Sequence, residues 1–407
     1  MTAFREYDLK FVRDNRRVRF TNKLDADVLA FESQLLQQTR SDASSESPLP
    51  VELTLYQSSS WLKHAPEDFR LLQIRDQDGL PALQLALLID RPRRLKSFAT
   101  ARVQSLGCSS VSGELETWAL QLLPELVRDI DGVMKLRIYP YRARQKDLLD
   151  FESRARRAGF RLVDPIGVTR TLTIDLVQEL DDLVASWDRK IRAKIRHPGR
   201  ALFDIRVLSD VSILPQLENA LESAFARTRG GAANYDFATA FKVAHEYPDQ
   251  FQILGVFRKT MPDKLLAYSL SSKHGAVIQH VSAGSIPDPE LRKVPFNFFV
   301  MWEVIQWSRK TGAKILDLGG VTDGGPTDPL AGISDFKRWL SKTEIEIGRE
   351  MELELSPLRC LAFAAMVRLK NWLRASPDSP QKFPEILPVE MCRPTPQIHA
   401  QVRSALG

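Results

Sequence analysis

One order of elements occurs twice along this chain, and that constrains its fold more than any single motif. From residue 51, strand candidates "VELTLY", "FRLLQIR" and "ALQLALLID" lead into a helix over about residues 114–130, a strand "VMKLRIYP", a helix "KDLLDFESRARRAG" and a strand "FRLVD". A second pass opens with helical segments around residues 179–196 and 213–228. It continues with strands "FQILGVFRK", "LLAYSLSS" and "AVIQHVSA", a helix over about 296–310, and the strand "KILDL". Strands that meander before a helix and a returning strand predict a duplicated α/β unit, each copy a mixed sheet with helices on its faces. At 407 residues the chain has room for two such cores. The expected organisation is an N-terminal extension over 1–50, units over 51–175 and 176–356, and a C-terminal helix and tail over 357–407. The extension reads as a hairpin turning at Asp14-Asn15, a helix "DADVLAFESQLLQQ" and a Ser/Pro-rich linker "SDASSESPLP".

Composition excludes several classes. Hydrophobic residues at 43% and charged ones at 27% are globular usage. Cys108, Cys360 and Cys392 match no zinc or redox spacing. The N-terminus lacks a signal-peptide core, and no apolar run is long enough to span a bilayer, so a cytoplasmic protein is expected. A net charge of +6 favours anionic partners. HExxH, G-x-S-x-G, P-loop and G-x-G-x-x-G patterns are absent from the sequence, which removes support for metalloprotease, serine hydrolase, NTPase and dinucleotide-binding readings.

Five segments carry a family resemblance in a fixed order: "YQSSSW", "LVASWDRKIRAKIRHPGR", "FARTRGG", "VPFNFFVMWEVIQWSRKTGAKILDLGG" and "SDFKRWLS". Over roughly residues 51–350 the chain resembles the Fem-type aminoacyltransferases. The resemblance implies two tandem GNAT-like domains and transfer of an amino acid from aminoacyl-tRNA to the stem-peptide amine of a peptidoglycan precursor, UDP- or lipid-linked. It implies no cofactor and no metal, because the donor ester is already activated.

Strand "KILDL" ends at Gly319-Gly320, and open α/β sheets bind ligands beyond such strand ends. Glycines there let backbone N–H groups approach an anion. Lys337, beside Phe336, would bring a cation onto a phosphate or a developing oxyanion, the role that the resemblance implies for it. Arg229 in "FARTRGG" is a candidate phosphate clamp, with Arg227 two residues away leaving the register open. Lys63, just after Trp61, is a candidate phosphate contact from the first unit. Tyr268 and His280 lie on neighbouring strands and are candidate substrate contacts. His280 stands where the family often has tyrosine, so it is either a structural residue or an imidazole replacing a hydroxyl. Asp317 and Asp323 either accept a proton or stiffen the loop.

On a helix, Arg189, Arg192 and Arg196 share one face while Trp187, Ile191 and Ile195 form an apolar stripe. That face either tracks tRNA phosphates or is simply solvated. Beyond Pro357, Leu358, Leu361, Ala365, Leu369, Trp372 and Leu373 fall along one helical side next to Arg359, Lys370 and Arg374. This side either lies on an anionic membrane face or packs on the protein itself. Two other functions compete: a GNAT-type N-acyltransferase using acyl-CoA, disfavoured because "SIPDPELRKVPFNFF" lacks a glycine-rich pyrophosphate turn, and a non-catalytic RNA-binding or scaffold protein.

Overall fold

The computed structural model describes residues 7–41, 54–65, 68–92, 95, 97–106, 113–141, 145–164, 168–228, 235–291, 294–322, 328 and 330–374. The chain opens with strands β1 (Asp8–Arg13) and β2 (Arg16–Thr21) and helix α1 (Ala26–Ser41). Asp14 and Asn15 both take left-handed φ values, 53° and 59°, the geometry of a tight hairpin turn. After α2 (Ser59–Leu62) come three antiparallel strands, β3 (Asp68–Arg75), β4 (Pro81–Asp90) and β5 (Ala99–Leu106). Helix α3 (Gly113–Arg128) crosses over to β6 (Val133–Pro140), parallel to β5, and α4 (Gln145–Arg157) and β7 (Arg161–Leu162) follow.

The second half begins with β8 (Arg170–Asp175), α5 (Leu180–Ser186), α6 (Arg189–Ile195), β9 (Phe203–Val207), α7 (Leu214–Thr228) and α8 (Phe237–Glu246). The same meander then recurs. Strands β10 (Phe251–Arg258), β11 (Met261–His274) and β12 (Val277–Ser285) are antiparallel, and α9 (Phe296–Lys310) crosses to β13 (Ile315–Val321), parallel to β12. The described chain ends with α10 (Ala331–Leu340), β14 (Thr343–Glu346), β15 (Met351–Glu354) and α11 (Pro357–Arg374).

Sheet membership does not follow chain order. The first sheet runs β1-β2-β3-β4-β5-β6-β15-β7 and the second β14-β8-β13-β12-β11-β10-β9. The N-terminal hairpin is thus an integral edge of the first sheet, with Val18 and Phe20 buried in its core. Strand β15 returns from the far end of the second sheet to lie between β6 and β7. Met351 is fully buried there, and Glu352 pairs with Lys135 and Arg137.

One local expectation fails and one strand goes unforeseen, each for an identifiable reason. The described part of "VELTLY" is not a strand, since Leu55–Gln57 form a 3-10 turn. The turn aims the Gln57 amide between β4 and β5 beyond Leu87 and Val103, where their pairing ends. Gln57 donates to the carbonyls of Ala86 (3.2 Å) and Gln104 (2.8 Å) and accepts from Ala86 N (2.7 Å), so a side chain replaces a peptide unit in the ladder. Strand β5 itself carries Arg102 and Gln104, which break the apolar alternation that would have marked it. Both are buried, Arg102 on Asp90 (2.7 Å) and on Gln104. Tyr56 of the same turn and Trp61 of α2 pack in a core with α7 and α8, joining the two halves. Gln57→Ala should leave buried backbone groups unsatisfied and lower stability by about 2–3 kcal/mol in urea denaturation.

Candidate active site

The two halves differ in how their parallel strands pair. Strands β5 and β6 remain paired from Ala99↔Val133 to Leu106↔Pro140, with irregularities after Ala99 and after Val103. Their counterparts β12 and β13 pair only at Val277↔Ile315, Ile278↔Leu316 and Gln279↔Asp317, then part. Both strands are irregular at that level. The β11–β12 register shifts between Leu270 and Ser271, opposite Ser282 and His280, and the β13–β8 register shifts between Asp317 and Gly320. Gly319 supplies the turn with φ +80°, a conformation that a side chain would strain.

A cavity of about 400 Å³ occupies the splay, walled by β12 from His280 to Ser285, by Gly320 and Thr322 after the kink, and by α9 and α10. Gly320 is required by close approach as well, because a Cβ there would lie 1.8 Å from Val168 Cγ2. Among the described lining residues, Lys337 alone carries a full charge.

Lys337 projects from α10 rather than from the glycine loop, and its Nζ donates to the Gly320 carbonyl at 2.8 Å. Thr322 and Ser334 tie the start of α10 to the end of β13, through Thr322 N to Ser334 Oγ at 3.0 Å and the paired hydroxyls at 3.0 Å. Phe336 also lines the cavity and packs edge-on against Phe298 at 5.1 Å.

His280 is buried at the mouth of the splay. Its ring donates to the Leu318 carbonyl, while Nε2 is buried with no hydrogen-bond partner. Burial foremost, and then the Lys337 cation, push its pKa down to about 3. The imidazole is therefore neutral, with the proton on the nitrogen facing Leu318 and a lone pair on Nε2. Tyr268 lines the same cavity, with its hydroxyl 2.7 Å from Ser282 Oγ, and burial raises its pKa. Asp317 is fully buried beneath the kink and bonded to Tyr141, Thr171 and Gly319 N, which makes it a structural carboxylate rather than a cavity group.

The structure thus brings Lys337, Phe336, Tyr268, His280 and Gly320 to one cavity, with Gly319 at its hinge. Lys63 is elsewhere, ion-paired with Glu246 beside His64. Arg189 and Arg192 are on α6 and Arg196 is its C-cap, all outside the cavity lining. Arg192 donates to the carbonyls of Ala185 (3.0 Å) and Trp187 (2.7 Å), and Arg189 and Arg196 are exposed. Lys194 of the same helix lies 4.7 Å from the Phe298 ring and 4.3 Å from Trp339, so α6 rests on the aromatic face that also supports Phe336. Arg229 and Asp323 fall outside the described residues. Sequence reasoning missed Thr322, Ser334, Ser282 and Asn297, single polar residues with no pattern to reveal them. Among the described residues no group of three or more His, Cys, Asp or Glu is placed to hold a metal.

The His280 geometry sets a pH dependence. In the folded chain the ring stays neutral down to about pH 3, whereas the unfolded chain takes up its proton near 6.5. Stability should therefore fall as pH drops from 6.5 towards 3, with a slope of at most about 1.4 kcal/mol per pH unit from this group. His280→Gln should remove that component in denaturant titrations repeated across pH.

No protein-family model matches the sequence, and no curated protein is significantly similar to it. Solved structures match nearly its whole length. The FemX crystal structure superposes with TM-score 0.62 at 14% identity, covering 87% of this chain and 99% of FemX. A tandem GNAT protein from the clavulanic acid biosynthesis pathway gives TM-score 0.52 at 15% identity, covering 84% and 99%. At such identities the likeness is one of fold: this chain has the mixed α/β, tandem GNAT-like architecture of FemX.

Proposed function

We propose that the chain is a Fem-type acyltransferase that moves an amino acid from aminoacyl-tRNA to the stem-peptide amine of a peptidoglycan precursor, in the splay of the second sheet. One observation carries the reading. Lys337 and His280, whose Nε2 is buried without a hydrogen-bond partner, line the same cavity at the point where two parallel strands part. The FemX-like fold and the basic helix α6 beside the cavity support the choice of donor and acceptor.

In the proposed reaction the acceptor amine, held against Nε2 of His280, attacks the ester carbonyl. A C–N bond forms, and the negative charge on the carbonyl oxygen is stabilised by Lys337. The amine proton, hydrogen-bonded to the neutral imidazole, becomes acidic as the C–N bond forms. It moves on to the ribose oxygen as the C–O bond breaks, leaving the enzyme unchanged. Phe336 and the Gly320 carbonyl orient Lys337, Gly319 keeps the cleft open, and Tyr268 with Ser282 shapes the substrate-facing wall. Arg189 and Arg196 would contact tRNA phosphates, and Arg229 would contact the precursor.

An acyl-CoA donor is the second reading, favoured by the likeness to the tandem GNAT protein. Against it, the turn entering α9 presents Asp288 and Glu290 where a pyrophosphate would need backbone donors.

Incubating the protein with a pool of charged tRNA and muropeptide precursors, and separately with acetyl-CoA, separates the two by the mass added. An aminoacyl increment only with charged tRNA is the expected result, and an acetyl increment would replace the reading. Lys337→Met should lower kcat about 10²–10³-fold with an unchanged melting temperature. Reversing charge at Arg189 and Arg196 together should weaken tRNA binding and reduce its salt slope by about two.

A further inference from the structure

Helix α11 lies against the first sheet by one side only. Phe363 packs on Phe98 with ring centroids 5.6 Å apart, and Cys360 Sγ lies 3.5 Å from the Met134 carbonyl. The opposite side is apolar and open. Leu358 is 81% exposed, Leu361 67%, Leu369 57% and Met366 37%, all on one broad side of the helix.

Charge decides what covers it. The helix contains Arg359, Arg368, Lys370 and Arg374 and no acidic residue. By helical register Arg359 borders the stripe on one side and Arg368 on the other. Arg359 and Arg368 are exposed, and no carboxylate pairs with them among the described residues. A second copy of the chain docking on this face would bring Arg359 and Arg368 against the same cations of its partner. An apolar stripe rimmed on both sides by cations complements a surface whose interior is hydrocarbon and whose head groups are anionic.

We propose that α11 is an interfacial helix that seats its outer face on an anionic lipid bilayer. The helix lies along the surface and does not cross it, since no helix among the described residues is long and apolar enough to span a membrane. The proposal is independent of the transferase reading, because it rests on α11 alone.

The test is co-sedimentation of the full chain with vesicles of phosphatidylglycerol and phosphatidylcholine, against vesicles of phosphatidylcholine alone. Binding to the anionic vesicles is expected, weakened by salt yet not abolished. The pair Leu361→Glu and Leu369→Glu should lower it at least about tenfold with an unchanged melting temperature, because both side chains are already in solvent. Arg359→Glu with Arg368→Glu should lower it in the anionic vesicles only. Failure of the full chain to bind, or equal binding by the leucine variant, overturns the proposal. So does a dimer that the leucine variant dissolves, which would assign the face to a second copy.

Discussion

A single buried carboxylate holds the point at which the second sheet opens. Asp317 has no exposed surface and accepts from the Tyr141 hydroxyl, the Thr171 hydroxyl and the Gly319 amide. Burial raises its pKa, while these donors and the Lys337 cation act in the other direction. A buried carboxylate without such partners is costly enough to rearrange its surroundings. Tyr141 follows β6 of the first sheet, Thr171 belongs to β8, and Gly319 is the kinked residue of β13. The carboxylate is satisfied only when both sheets and the kink are in place, so the cleft geometry is tied to the assembly of the whole molecule.

The duplicated unit makes this opening conspicuous by contrast. In the first sheet the parallel pair β5–β6 stays closed, and Gln57 seals the neighbouring gap between β4 and β5 with its own amide. The first half is thereby a packed scaffold whose residues Tyr56 and Trp61 brace α7 and α8 of the second. Duplication supplied two potential clefts. The structure keeps one open, and the candidate chemistry gathers there.

Periodicity made the duplicated architecture legible, because "FQILGVFRK" and "VMKLRIYP" are strands whose apolar residues pack in cores at the expected spacing. It could not reveal β5, where Arg102 and Gln104 are buried by pairing rather than by hydrophobicity. Nor could it reveal that β15 crosses back, since a four-residue strand carries no address. Lys337 and the glycines stood out as chemistry, yet the helix that presents Lys337 did not. Ser334 and Thr322, which anchor α10, are individually unremarkable residues. His280 could be named from the sequence but not assigned a tautomer, since that depends on the Leu318 carbonyl, a backbone group brought near only by the fold. Lys63 shows the reverse error: a cation in a suggestive motif whose nearest anion is Glu246 of the same chain.

Parting two parallel strands removes ladder hydrogen bonds, and buried backbone groups must then find other partners. Strand β12 keeps β11 along its outer edge to Ala267↔Ser285, and β13 keeps β8 to Val321↔Arg170, so only the facing edges lose pairing. Two carbonyls on the opened run of β13 are satisfied by side chains: Leu318 by the His280 ring and Gly320 by Lys337. Each of these side chains takes a place that a strand would otherwise have filled. The separation that makes room for a substrate is thus what fixes the imidazole and the ammonium, and closing the sheet would displace both from their carbonyls. Room and orientation are one structural event, which is why the candidate site sits at the splay and nowhere along the closed pair of the first sheet.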